Sequence, residues 1–237
     1  MRVATWNIHG TRGTAGWPRP GRILDVLAEL RPDVVALQEA QSWLRPGAAL
    51  LDEAALARDL DLHPLRVLPG EQGYRGNVLL VRRDALVPRR ATGLRLGGMQ
   101  PRGAILAELD LGGGRFRVIA AHLSLGAARR REQGRRLLAA VAEGWPTLLL
   151  GDLNEWRADG SALAVLAPAF GVPPASPSFP ALRPILSLDR ILGHPAGLVG
   201  KVAVHDTKLA RRASDHLPLT ALVAPWREGP AGATSRA

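Results

Sequence analysis

Residues 147–154 read Thr-Leu-Leu-Leu-Gly-Asp-Leu-Asn. An apolar run of this length bounded by polar residues reads as a buried strand, Thr147–Leu150. Its end presents a carboxylate, Asp152, and an amide, Asn154, together. Working outward, Ala127–Ala142 has the spacing of a helix, with Leu137, Leu138 and Val141 inside and Arg129, Arg130, Arg131, Arg135 and Arg136 outside. Before it, Phe116–Ala121 is a strand that ends at His122. The unit is strand, helix, strand, with a polar group at each strand end.

The first half of the chain has the same plan with a different sequence. Val3–Ile8 is an apolar run carrying Asn7, and Arg22–Leu30 has Ile23, Leu24, Val26, Leu27 and Leu30 at helical spacing. Pro32-Asp33 breaks that helix, and the strand Val34–Leu37 follows and leads to Glu39. Between the halves lie strands at Asn77–Val81 and Ala104–Leu109, with Gly112-Gly113-Gly114 turning the chain back into Phe116. Further strands are expected at Leu188–Leu192, Val202–Val204 and Leu217–Val223, after a long surface loop, Ala167–Pro184. Two such halves pack as an α/β four-layer α-β-β-α sandwich: two mixed β-sheets face to face, flanked by helices.

Composition narrows the class. A 46% apolar fraction over 237 residues can fill one large core, and no repeat or linker divides the chain. One domain over residues 1–224 and a flexible tail over 225–237 are expected. The chain has no cysteine, which removes disulfides and thiolate metal sites. No apolar run reaches the roughly 18–20 residues of a membrane span. Arg2–Ile8 reads as a strand carrying a site residue, not a cleaved leader, so a cytoplasmic protein is expected. The formal charge is +10, and the only lysines are Lys201 and Lys208. A basic surface attracts phosphates, nucleic acid above all. Arginine in place of lysine, in a chain rich in Ala, Gly, Leu and Pro, reads equally as genome composition.

Polar motifs close these runs: Thr5-Trp6-Asn7, Leu37-Gln38-Glu39, Ala121-His122-Leu123, Gly151-Asp152-Leu153-Asn154, Leu188-Asp189-Arg190-Ile191 and Ser214-Asp215-His216. In this order the set resembles the endonuclease/exonuclease/phosphatase superfamily, which has the deoxyribonuclease-I-like fold, over residues 2 to about 223. The resemblance implies a metal-dependent phosphoesterase that uses Mg2+, with Mn2+ as a substitute. Hard oxygen ligands suit these ions, which take one or two carboxylates and keep several waters.

On this resemblance Glu39 is the principal metal ligand, Asn7 its neighbour at the metal, and Asp215 a ligand or second-site carboxylate. Asp152 aims or deprotonates the attacking water and Asn154 holds a phosphoryl oxygen. Asp189 and His216 form a carboxylate–imidazole pair, and the carboxylate fixes the tautomer and raises the imidazole pKa. His122 is a phosphate contact or the leaving-group acid. Tyr74, Asn77 and Arg102 are weaker candidates for binding the substrate phosphate. His9, His63, His194 and His205 have no partner motif and read as structural or exposed. Trp17, Trp43 and Trp156 read as covering core edges, with stacking on a base or lipid as the alternative.

The leading expectation is a phosphodiesterase acting on DNA as a nuclease, working as a monomer on a phosphate-ester substrate with no protein partner. The alternative is a phosphodiesterase or phosphatase for a lipid head group, inositol phosphate or other small phosphate. A catalytically dead binding module is a third reading, but every expected position holds the expected residue type.

Overall fold

A computed structural model describes residues 1–14, 16–42, 48–98, 102–141, 145–172 and 174–224. The expected tail, residues 225–237, and Trp43 lie outside the described residues.

Two mixed sheets form the centre. The first contains β1 (Arg2–Asn7), β2 (Val34–Gln38), β3 (Leu62–Pro64), β4 (Val78–Arg82), β10 (Ala203–Val204) and β11 (Leu219–Leu222), in the order β10-β11-β1-β2-β4-β3. The second contains β5 (Thr92–Gly97), β6 (Arg102–Asp110), β7 (Arg115–His122), β8 (Thr147–Asp152) and β9 (Asp189–His194), in sequence order. Each sheet has one parallel pair, β1–β2 and β7–β8, and the remaining pairs are antiparallel. A parallel pair needs a crossover. Helix α1 (Pro20–Leu30) supplies it for β1–β2, and α3 (Ala127–Leu138) supplies it for β7–β8.

Period-two burial explains the layers. Val3, Val34, Ala36, Leu79, Ile105, Val118, Leu148 and Leu150 point between the sheets and form one core. The alternate residues of the first sheet, among them Ala4, Trp6, Val35 and Leu37, pack under α1, α2 (Glu53–Leu60) and α5 (Lys208–Ala213). The alternate residues of the second, Ile119, Leu149 and Leu192, meet Leu137 of α3 and Leu163, Leu166 and Phe170 of α4 (Ser161–Phe170). This is the α-β-β-α sandwich.

Some elements differ from the sequence reading. Ala167–Phe170 are the last turn of α4 and not part of the long loop, because Ala162, Leu163, Leu166 and Phe170 give the segment an apolar face onto the second sheet. Arg130 is not on the outer face of α3: it is 5% exposed, drawn inward by Glu155. Helices α2 and α5 and the short or exposed strands β3 and β5 carry too little apolar alternation to be read in advance. No helix among the described residues is long and apolar enough to cross a membrane.

Candidate active site

Strand register brings the polar ends together. In the second sheet His122 pairs with Asp152, and Asp152 pairs with Asp189, so three neighbouring strands carry His122, Asp152 and Asp189 in one row. In the first sheet Asn7 pairs with Gln38, which places Glu39 beside it. The two sheets pack with these ends facing. Asn7 Nδ2 bridges them, donating to Glu39 Oε1 at 3.3 Å and to Asp152 Oδ2 at 3.0 Å.

Asp152 is 1% exposed and held from several sides. Its Oδ1 accepts from the Asn154 N–H at 2.9 Å, and His122 Nε2 lies 3.4 Å from Oδ2. Asn154 has a left-handed backbone (φ 51°), which folds its own N–H back onto Asp152, and its Nδ2 donates to Leu123 O at 2.9 Å. Asn7 Oδ1 accepts from the His9 N–H at 3.0 Å, so its donor end faces the carboxylates.

Two histidines are set in opposite charge states. Arg102 Nη1 lies 2.8 Å from His122 Nδ1. An arginine can only donate, so Nδ1 accepts and the proton sits on Nε2. Burial, with Arg102 and His216 adding to it against the pull of Asp152, lowers the His122 pKa to about 4. His216 is placed otherwise. Its Nδ1 lies 2.8 Å from Asp189 Oδ2, and Nε2 lies 3.9 Å from Asp152 Oδ2. Burial opposes its charge, but Asp189, Asp152 and Asp215 outweigh burial and raise the pKa to about 10. His122 is neutral and His216 an imidazolium at neutral pH.

Residues given no role in the motif readings complete this pair. Ser178 donates to Asp189 Oδ2 at 2.5 Å, and the Phe179 ring lies 4.7 Å from the His216 ring. Buried Trp6 donates from Nε1 to His216 O at 2.8 Å. His9, read as structural or exposed, approaches Asp215 Oδ1 at 3.3 Å on the open rim. Behind Asn154, Glu155 accepts from Arg130 Nη2 at 3.1 Å and from Ser161 Oγ at 2.7 Å, while Arg190 Nη2 donates to Glu155 O at 3.1 Å. No sequence signal tied Arg130 to Glu155, because the partners are 25 residues apart and on different elements.

The weaker candidates divide. Arg102 reaches the site through His122. Tyr74 is 8% exposed, its ring lying where a Cβ on Gly93 or Gly103 would collide with it at 2.7 Å and 2.9 Å. Asn77 is fully buried, and its amide donates to the carbonyls of Gly103, Tyr74 and Arg75. Placed this way its amide nitrogen fastens a turn, while its Oδ1 is buried without a hydrogen-bond partner among the described residues. Trp17 and Trp156 are 79% and 49% exposed, so neither covers a core edge.

Two groupings here offer ligands to a cation. Ligand atoms of Asp152, Asp189 and His216 lie within 4.8 Å of one another and could hold a metal ion. Glu39 and Asp215 offer carboxylates nearer the surface, with Asp215 35% exposed. The second grouping offers only hard oxygen donors, whereas in the first Asp189 Oδ2 already accepts from Ser178 and lies 2.8 Å from His216 Nδ1.

The model of the Endonuclease/Exonuclease/phosphatase family matches residues 4–216. Among solved structures, an endonuclease/exonuclease/phosphatase from Beutenbergia cavernae DSM 12333 is similar at 26% identity, covering 93% of this chain and 70% of that one, with a TM-score of 0.70. A Bacteroides thetaiotaomicron VPI-5482 mannosyl-6-phosphatase is similar at 17% identity over 94% and 99% of the two chains, with a TM-score of 0.73. D. rerio TDP2, complexed with single-strand DNA product, is similar at 16% identity over 93% and 97%, with a TM-score of 0.66. No curated protein matches the chain.

Proposed function

The chain belongs to the endonuclease/exonuclease/phosphatase family, whose members hydrolyse phosphoester bonds, and from that premise we propose that it is a divalent-metal-dependent phosphodiesterase acting on DNA as a nuclease. The observation that carries the reading is the opposed pair of histidines around Asp152. A neutral donor and a fixed cation flank one carboxylate, which is what hydrolysis of an anionic ester needs.

Each residue has a task in this mechanism. Glu39 and Asp215 would hold the cation, and Mg2+ or Mn2+ would suit these oxygen donors. The bound cation would neutralise charge on the phosphoryl oxygens. Asp152 is oriented by the Asn154 N–H and Asn7 Nδ2, so it can accept a proton from an attacking water. His216 is kept charged by Asp189 and stabilises the charge that develops on phosphorus-bound oxygen. His122 donates a hydrogen bond from Nε2. Neutrality makes it a phosphate contact and not the leaving-group acid. The second hydrogen of the Asn154 amide is left for a phosphoryl oxygen.

DNA as substrate draws on the +10 charge and on the likeness to D. rerio TDP2 with its single-strand DNA product. The likeness to a mannosyl-6-phosphatase supports the alternative, a small phosphate, because one fold hosts both. Nicking of supercoiled plasmid with magnesium, with EDTA and Asp152→Ala as controls, tests the proposal. Nicking lost in both controls supports it. Absence of nicking, with bis-nitrophenyl phosphate still hydrolysed, moves the substrate to lipid or small phosphates. Failure on both substrates sinks the mechanism.

A further inference from the structure

A groove of about 730 Å3 opens beside the reacting centre and shares Glu39, Arg102 and His122 with it. It is lined mainly by the segment before β4, residues 67–76, and by the start of β5. Its lining is largely carbon, from Val67, Leu68, Tyr74 and Ala91, with Gln41, Glu71 and Thr92 as polar members. Arg75, Arg90 and Arg95 line it, and none has a carboxylate partner among the described residues.

Arg75 is placed at a cost. Tyr74 and Asn77 bridge across a two-residue turn whose central residues, Arg75 and Gly76, have φ of 48° and 84°. Such a turn favours glycine or asparagine at its first central position. Arginine there is uncommon, and backbone strain of this kind persists where function uses it. The result is a guanidinium 5.6 Å above the Tyr74 ring, with Nε donating to the Tyr74 hydroxyl at 3.3 Å. Gly93 and Gly103 let that ring lie flat on the sheet, since a Cβ at either would meet it below 3 Å. At the inner end, the buried Nε of Arg102 has no acceptor among the described residues.

We propose that this groove binds the nucleotides flanking the scissile phosphate on one side, as a single unpaired strand, with bases on the apolar floor and phosphates on Arg75, Arg90 and Arg95. The assignment rests on the phosphodiesterase reading of the adjoining site and narrows its substrate class. A sugar phosphate has little apolar surface to bury, whereas most of the surface lining this groove is apolar. The volume falls within the range of small-ligand pockets and suits about one or two nucleotides, not a duplex. Apolar contact for bases beside arginines for phosphates is the general chemistry of single-strand binding.

The test is binding, measured apart from turnover. In an Asp152→Asn background with magnesium, fluorescence anisotropy compares a labelled eight-nucleotide oligothymidine with a blunt duplex of the same length. The single strand is expected to bind at least about tenfold more tightly than the duplex. Adding Arg75→Gln, Arg90→Gln and Arg95→Gln together should weaken it at least about tenfold and flatten the slope of log K against log salt by about 2. Thermal melting checks that the triple variant is folded. Equal binding of strand and duplex, or an unchanged triple variant, overturns the proposal. Turnover of the wild type separates this failure from that of the function. A bound strand with no phosphodiester hydrolysed leaves the groove standing and removes the nuclease. Hydrolysis of bis-nitrophenyl phosphate without strand binding does the reverse.

Discussion

Arg102 donates from Nη1 to Nδ1 of His122 at 2.8 Å, and this contact decides which nitrogen of His122 faces Asp152. Arg102→Gln removes the fixed cation and releases the tautomer. We expect kcat to fall about 10²-fold, as when one donor to a developing anion is lost. Nitrogen chemical shifts of the imidazole check the cause: His122 should be an Nε2–H tautomer in the wild type and a mixture in the variant. An unmixed tautomer with reduced kcat would assign Arg102 to the substrate alone.

Metal binding discriminates the two carboxylate groupings. Glu39→Gln should weaken Mn2+ binding at least about tenfold, whereas Asp189→Asn should leave it nearly unchanged and lower kcat by about 10³–10⁴, as in other carboxylate–histidine pairs. Calorimetric titration with Mn2+ reads the first effect and steady-state kinetics the second. Loss of Mn2+ binding in Asp189→Asn would place the ion at Asp152, Asp189 and His216 instead.

The histidines also give stability a definite pH dependence. His216 has a folded pKa of about 10, above the ordinary value of 6.5. Its contribution is complete below about pH 6.5 and is lost as pH rises towards 10, because the unfolded chain releases that proton first. His122 has a folded pKa of about 4, below 6.5. Between these values the unfolded chain binds more protons, so this group makes stability rise with pH from about 4 to 6.5. In EDTA, His216→Asn should flatten the alkaline limb of Tm against pH, and His122→Asn the acid limb. Parallel limbs in wild type and variants would contradict both assignments.

The sequence carried much of this site because strands make it legible. Asn7, His122 and Asp152 each end a strand and Asp189 opens one, and pairing register alone aligns three of them. What stayed hidden depends on contacts between distant elements. Ser178 reaches Asp189 from the loop before β9, and Arg130 turns inward because Glu155 waits there. Asn77 belongs to the same class: its amide donates to Gly103 O, 26 residues away, a contact that no local pattern announces. Periodicity reports which face is apolar, and it is blind to a charged residue buried by a partner.

That partner yields the last prediction. Arg130 and Glu155 are 5% and 2% exposed, and their contact joins α3 to the chain just after Asn154. Arg130 also donates from Nη1 to Leu125 O, so one guanidinium ties the segments that follow His122 and Asn154. Gly160 lies so close that a Cβ would meet the Glu155 carboxylate at 2.1 Å, which fixes a small residue there. Removing one partner strands a buried charge. Glu155→Ala should therefore destabilise by about 3–5 kcal/mol, measured by urea unfolding. Arg130→Met with Glu155→Leu removes both charges and should recover most of that loss. If the pair also positions Asn154, the double variant will be stable yet slower, with kcat reduced and KM little changed. A double variant that is stable and fully active would make the pair a matter of folding only.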